Sequence, residues 1–328
     1  MWNLRLQSAI IFACVLIVSG NDFGYDGQQG PQHWADDYKR CSGKHQSPIN
    51  IDKLHVAEIS YPEIKYFNFD AKPKAVHMKN NGHTVLVTMS FEPGKEPRVS
   101  GGPLNTSNGK DFQFEQFHFH WGENDTVGSE DMINNHRYPA EMHVVMRNLD
   151  YIDFQSALGQ ELGIAVLAFF FKVNKKLHNP HYGEFVEMLS LIDRKGSSTE
   201  LELPLPLMKF LSASSMNYYT YVGSLTTPPC AERIIWIDYQ DPIDLSEYQL
   251  NLFRKLTANN EHMRNNFRPI QPLNDRVIYK NLVNDDMIEK SWISPHNGAG
   301  FTDTGSGAIL LGCSLVMLLR GNIFAAFN

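Results

Sequence analysis

The sequence predicts a mainly β (α+β) protein, a single domain built on a large, mostly antiparallel sheet with a few short helices. Short β-rich runs recur at Thr84 to Phe91, Gln113 to Trp121, Met142 to Asn148, Ile164 to Val173, Tyr218 to Val222 and Ile234 to Tyr239. Clusters of Gly, Pro, Asn and Asp separate them, the punctuation of strands joined by surface loops. Helical patterning is confined to Gly183 to Ile192 and Ser246 to Ala258, the second opening on a capping Ser or Asp.

Between two hydrophobic ends, composition is even and without repeats over residues 21–284, which sets the domain boundaries. A core of roughly 250 to 260 residues is enough for one large domain with a buried interior. Lys and Arg total 29 against 36 Asp and Glu in a chain of 328, with the signs interspersed, so no nucleic-acid partner is expected.

The first twenty residues read as a signal peptide. Arg5 precedes an apolar run from Ala9 to Val18, and Val18-Ser19-Gly20 supplies small residues for cleavage. A buried N-terminal helix or an uncleaved anchor is the alternative. Residues 285–307 turn polar and Gly-rich, a linker, and 308–328 form a hydrophobic end. Its run from Ala308 to Leu319 would rise only about 18 Å as a helix, short of the ~30 Å hydrocarbon core. With small residues at Asn297-Gly298-Ala299, this reads as the signal for a lipid (GPI) anchor. The rival is a single span from Ala308 to Phe327, which would place Arg320 inside the membrane with no basic cluster to follow it. The chain is thus expected at the extracellular face of the plasma membrane, with a single-pass or secreted form as the alternatives.

Of the four cysteines, Cys14 lies in the leader and Cys313 in the tail, so processing would leave Cys41 and Cys230. In an oxidising compartment such a pair is expected to join; two separate buried thiols are the other reading. Sequons at Asn105 and Asn124 suit glycosylation on the same route.

Within the run Gln116-Phe117-His118-Phe119-His120-Trp121, the two histidines fall on one strand face, roughly 6.6 Å apart along it. Alone the pair is weak, since polar strands produce it by chance. His143, in the strand-like run Ala140 to Val145, adds a third neutral nitrogen if that strand returns beside the first. Three imidazoles leave a zinc ion a fourth, open position, and neutral ligands preserve its charge, which lowers the pKa of bound water to about 7. Gln116 and Glu141, each two residues before a histidine on the same face, are placed to accept the ligands' other N–H groups.

Several further segments, taken in order, resemble the α-class carbonic anhydrases of the extracellular, membrane-anchored kind. They are Gly30 to Trp34 (GPQHW), Gln46 to Ile51 (QSPINI), Asn80 to His83 (NNGH), Gly101 to Leu104 (GGPL), Gln116 to Gly122, Ser129-Glu130, Ala140 to His143, Tyr221 to Pro229 (YVGSLTTPP) and Asn266 to Pro272 (NFRPIQP). The resemblance runs from about Phe23 to Asn281 and implies a twisted sheet with Zn2+ at the base of a conical cleft. It implies reversible hydration of carbon dioxide to bicarbonate by zinc hydroxide; a zinc esterase acting on small esters is a further reading, since the same hydroxide could do this as a side activity.

By the same resemblance Thr226 accepts from the hydroxide and donates to Glu130, and Asn266 joins Gln116 and Glu141 behind the ligands. His83 matches the proton shuttle, and Tyr25 and Asn81 the residues that order its water, although a histidine after Asn-Gly reads by itself as a turn residue. Val145, Val166, Leu225, Thr227, Ile234 and Trp236 match the substrate wall, where spacing alone would say core. Cys41 and Cys230 match the disulfide of the extracellular members. One departure stands out: the family has His or Asn after Ser-Glu, and here Asp131 follows. An ionised aspartate donates no hydrogen bond, so the network behind the zinc is expected to differ. The alternative function is a catalytically impaired ectodomain serving as a binding protein, against which the three intact histidines argue. The oligomeric state is not legible.

Overall fold

A computed structural model describes residues 23–104, 111–211, 217–259 and 261–282. The leader, the Asn105 sequon, the linker and the hydrophobic end, with Cys14 and Cys313, lie outside the described residues. Among the described residues no helix is long and apolar enough to cross a membrane.

A twelve-stranded sheet organises the molecule. In spatial order its main path runs Ser198–Glu200, Ala75–Asn80, Val85–Ser90, Phe112–Trp121, Ala140–Asn148, Ile164–Val173, Glu232–Leu245, Tyr218–Ser224, Tyr279–Asn281 and Ala57–Ile59. Most neighbours are antiparallel. Two pairs in this sheet are parallel, Ile164–Val173 with Glu232–Leu245 and Tyr279–Asn281 with Ala57–Ile59, so the sheet is mixed.

Alternation divides each central strand between two apolar layers. Phe117, Phe119 and Trp121, then Met142, Val144 and Met146, then Ala165, Leu167, Phe169 and Phe171 point into the larger core. The helical segments cover that side: Phe185 and Phe253 both pack on Phe119, with ring centroids 5.3 and 5.1 Å away. On the opposite face Val145, Ile164, Val166, Phe170, Ile234 and Trp236 form a second, smaller core. His118, His120 and His143 share this second face by the same period of two.

The helical expectations are shortened. Gly183–Glu187 is α-helical and continues as a tighter 3-10 turn over Met188–Ile192. The second helix spans only Glu247–Phe253, opened by a reciprocal capping box between Ser246 and Gln249. It stops early because Thr257 is drawn away: its N–H and its hydroxyl both donate to the Asp193 carbonyl, and Thr257–Ala258 pairs with Glu261–His262.

Cys41 and Cys230 are joined in a disulfide that spans 189 positions of sequence. Gly128 shows why a turn here needs glycine: its φ is +149°, and a Cβ would lie 1.9 Å from the Pro139 carbonyl oxygen. That close approach delivers the chain to Ser129 and Glu130.

Candidate metal centre

The register between Phe112–Trp121 and Ala140–Asn148 sets His118 directly opposite His143, and His120 opposite Glu141. A bulge between Phe114 and Gln116 keeps Gln116 on the histidine face. One ring nitrogen from each of His118, His120 and His143 lies within 4.8 Å of the other two. His120 and His143 are buried, and His118 is half-buried.

Each ring is oriented from behind. His118 Nδ1 is 2.9 Å from Gln116 Oε1, His120 Nδ1 is 2.7 Å from the Asn266 carbonyl, and His143 Nε2 is 2.7 Å from Glu141 Oε1. These acceptors take one ring N–H each and leave the lone pair of the other nitrogen turned to the common point. Burial drives the imidazole pKa of His118 and His143 well below the usual value, with neighbouring rings adding to it. It lowers His120 to about 4 against the hydrogen bond to Asn266. All three are therefore neutral at pH 7, the form that binds metal. His120 Nε2 is buried with no hydrogen-bond partner among the described residues. That orphaned lone pair and an all-imidazole donor set fit a zinc ion with an open fourth position.

Glu130 sits beside this point, with Oε2 3.4 Å from His120 Nε2 and 3.9 Å from His143 Nδ1. Its Oε1 accepts from the Arg268 backbone N–H at 2.7 Å. Burial raises the Glu130 carboxyl to about 7, and the Arg268 N–H, the Thr226 side chain and the charges of Arg268 and Arg137 pull it back. Thr226 is buried, immediately before the turn that Cys230 closes by donating its N–H to the Thr227 carbonyl.

The apolar residues gather as expected. Val145, Val166, Ile234 and Trp236 are buried and Leu225 packs against them; Trp236 meets the His143 ring edge-on at 4.8 Å and donates its indole N–H to Ser224. Thr227 is half-buried beside Thr226.

His83 lines a neighbouring cavity of about 590 Å³ together with Phe23, Tyr25 and Asn266, and none of the three histidines of the metal point borders it. Its ring stacks on Phe23 with centroids 3.9 Å apart. Asn81 builds the turn beneath it, its Oδ1 accepting from the N–H of His83 and of Thr84. Tyr25 stays a neutral phenol, since burial and the Glu130 charge both push its pKa up. Asn266 links the two regions: its Nδ2 donates to the His83 carbonyl, its Oδ1 accepts from Trp121, and its own carbonyl holds His120. Asn124 is exposed, its Oδ1 accepting from Thr126.

The departure at Asp131 is absorbed by donors around it. Its Oδ1 accepts the Ile49 N–H at 2.5 Å, and the Tyr221 hydroxyl lies 3.2 Å from Oδ2. Glu141 receives its hydrogen bonds from the main chain instead, with Oε2 accepting from the N–H of Glu130 at 2.9 Å and of Asp131 at 3.1 Å. Sequence reasoning did not single out Arg268, Tyr221, Phe23 or Asp238. Arg268 lay inside the Asn266 to Pro272 segment, where a charged residue amid prolines was the available signal.

Three neutral imidazoles on adjacent antiparallel strands, with a buried carboxylate and a threonine beside the open position, define a zinc enzyme that activates water. Residues 29–282 match the model of the eukaryotic-type carbonic anhydrase family. The chain is 34% identical to carbonic anhydrase 6 of Mus musculus over 85% of its length and 87% of that protein's. It is 35% identical to carbonic anhydrase 7 of Homo sapiens, covering 78% of this chain and 96% of that one, and 33% identical to human carbonic anhydrase 3, covering 78% and 97%. The chain belongs to the eukaryotic-type carbonic anhydrases. It is accordingly a zinc-dependent lyase of the family that hydrates carbon dioxide, and small-molecule substrates suit its site.

Proposed function

We propose that this carbonic anhydrase hydrates carbon dioxide at the extracellular face of a membrane, exporting its proton through His83. The convergence of the His118, His120 and His143 nitrogens within 4.8 Å, beside Glu130 and Thr226, carries the reading. Zinc held there supplies the Lewis acidity that makes water a nucleophile at neutral pH. Thr226 donates its hydroxyl hydrogen bond to Glu130, so its oxygen can only accept from the reacting water, and that water's lone pair turns toward the carbon. Carbon dioxide rests against Val145, Val166, Leu225, Ile234 and Trp236, with Thr227 at the margin. One C–O bond forms, bicarbonate leaves, and one proton remains to be removed. His83 takes it over water held by Tyr25 and Asn81 and passes it to buffer. Small-ester hydrolysis would follow from the same activated water.

The disulfide and the leader-like N-terminus support export, and the short apolar end interrupted by Arg320 supports a lipid anchor at Asn297. Hydration by the segment from Asn21 to Ser294 should vanish when zinc is stripped and return with it; a zinc-loaded, folded, inactive protein would leave the binding-protein reading. His83→Ala should lower kcat about a hundredfold with kcat/KM unchanged and be rescued by imidazole buffer; an unaltered kcat removes His83 from the proton path. Release from cells by a phosphatidylinositol-specific phospholipase separates a lipid anchor from a span.

A further inference from the structure

We propose that Asp131, Glu141 and Asp238 form a second cation site, behind the zinc centre, for one hard divalent ion, calcium by its chemistry. One carboxylate oxygen from each lies within 4.8 Å of the others, and all three residues are completely buried. A single ion bound at about 2.3 to 2.6 Å from each oxygen requires that separation. Asp238 supplies the second observation: it is 0% exposed, and among the described residues neither of its carboxylate oxygens has a hydrogen-bond partner. Strand alternation aims it there, since Ile234 and Trp236 on the same strand face the second core.

Three bare carboxylates this close and out of water repel one another strongly, so positive charge must enter the cluster. The nearby guanidinium groups act on Asp131 and Glu141 through their charge but make their hydrogen bonds elsewhere. Arg137 donates to the carbonyls of Ser129 and Glu130, and Arg276 donates to those of Val222, Leu273 and Pro272 while lying over the Tyr221 ring. The neutral donors serve Asp131 and Glu141 and pass Asp238 by: the N–H of Ile49, the hydroxyl of Tyr221, and the N–H groups of Glu130 and Asp131. These main-chain N–H groups fix where the Asp131 and Glu141 carboxylates point, so the oxygens that face Asp238 are held in place.

The donors are all oxygen, which selects a hard ion over zinc. Two uncommitted oxygens let Asp238 bind in bidentate fashion, which favours calcium over magnesium. Glu141 would touch both centres, with Oε1 on His143 and Oε2 on the cluster.

The test is equilibrium dialysis of the zinc-loaded protein against calcium chloride up to roughly 10 mM, above the range of about 0.1 to 1 mM for weak extracellular sites, counting zinc and calcium separately by elemental analysis. One calcium per chain beside one zinc, lost in the isosteric Asp238→Asn with zinc retained, is the expected result, and Asp131→Asn should lose it too. Manganese, read by its electron-spin resonance, should occupy the same site in competition with calcium. A protein that binds zinc alone at every calcium and manganese concentration overturns the proposal and leaves the cluster neutralised by protons. So does calcium that stays bound undiminished in both variants. Because zinc is counted in the same sample, failure at the zinc centre is distinguished from failure here.

Discussion

Arg268 donates its backbone N–H to Glu130 Oε1 at 2.7 Å while its guanidinium, fully inside the protein, bonds the Cys41 and Ser47 carbonyls and Gln46 Oε1. One residue thus ties the disulfide segment to the carboxylate beside the metal point. Lysine offers one point charge where the fork of arginine meets three acceptors. Arg268→Lys should cost about 2 kcal/mol of stability in denaturant melts and slow hydration at unchanged zinc content; a variant as stable and as fast as the parent would remove Arg268 from this role.

Glu141 faces donors on both oxygens, the His143 ring on one and two backbone N–H groups on the other. An amide has one acceptor for these two places. Glu141→Gln should therefore weaken zinc binding by about 10- to 100-fold, measurable by competition with a chromogenic chelator.

Thr226 reaches Glu130 through its side chain and is not one of the three metal-binding residues, so on the proposed mechanism its loss should separate rate from metal. Thr226→Ala is expected to lower kcat/KM about a hundredfold with full zinc content, and Thr226→Ser to recover most of it. Stopped-flow hydration beside metal analysis decides the point.

Acid should act on the metal-free protein through the buried rings. His120 titrates near 4 in the fold against 6.5 ordinarily, and His118 and His143 are lowered as well. Unfolding therefore takes up protons between these values, and the histidine contribution to stability falls as pH drops from 6.5 toward 4. Glu130 and Asp131, both raised to about 7, work in the opposite sense and withdraw stability as pH rises toward 7. Metal-free Glu130→Gln should consequently show a steeper rise of stability with pH over this interval than the parent, checked by urea melts at several pH values.

Reducing the Cys41–Cys230 bridge opens a loop of 189 positions. Chain entropy sets an upper value of about 4 to 5 kcal/mol for such a link. The paired serine variant should melt earlier and lose activity before it unfolds, because Cys230 closes the turn that directly follows Thr226.

Much of the centre was legible because strand geometry is periodic. His118 and His120 two apart, with Gln116 before them, had to share a face, and Glu141 had to share one with His143. The six longest runs were readable as strands for the same reason. Short edge strands such as Ala57–Ile59 and Ser198–Glu200 escaped, since three residues carry no period and pair only because a neighbour is present. The end of the Glu247–Phe253 helix was equally hidden, being set by a carbonyl at Asp193 far away in sequence. Asp238 read as one polar residue in a β run; that it would face two other acids depends on which strands become neighbours.

The two-layered alternation makes adjacent positions answer to different tests. In a scan of every substitution along Phe117 to Trp121, changes at Phe117, Phe119 and Trp121 would register as lost protein abundance, and changes at His118 and His120 as normal amounts of an inert product. The chemistry borrows its stiffness from a core it never touches, so the catalytic face is free to diverge while the other face keeps the molecule folded.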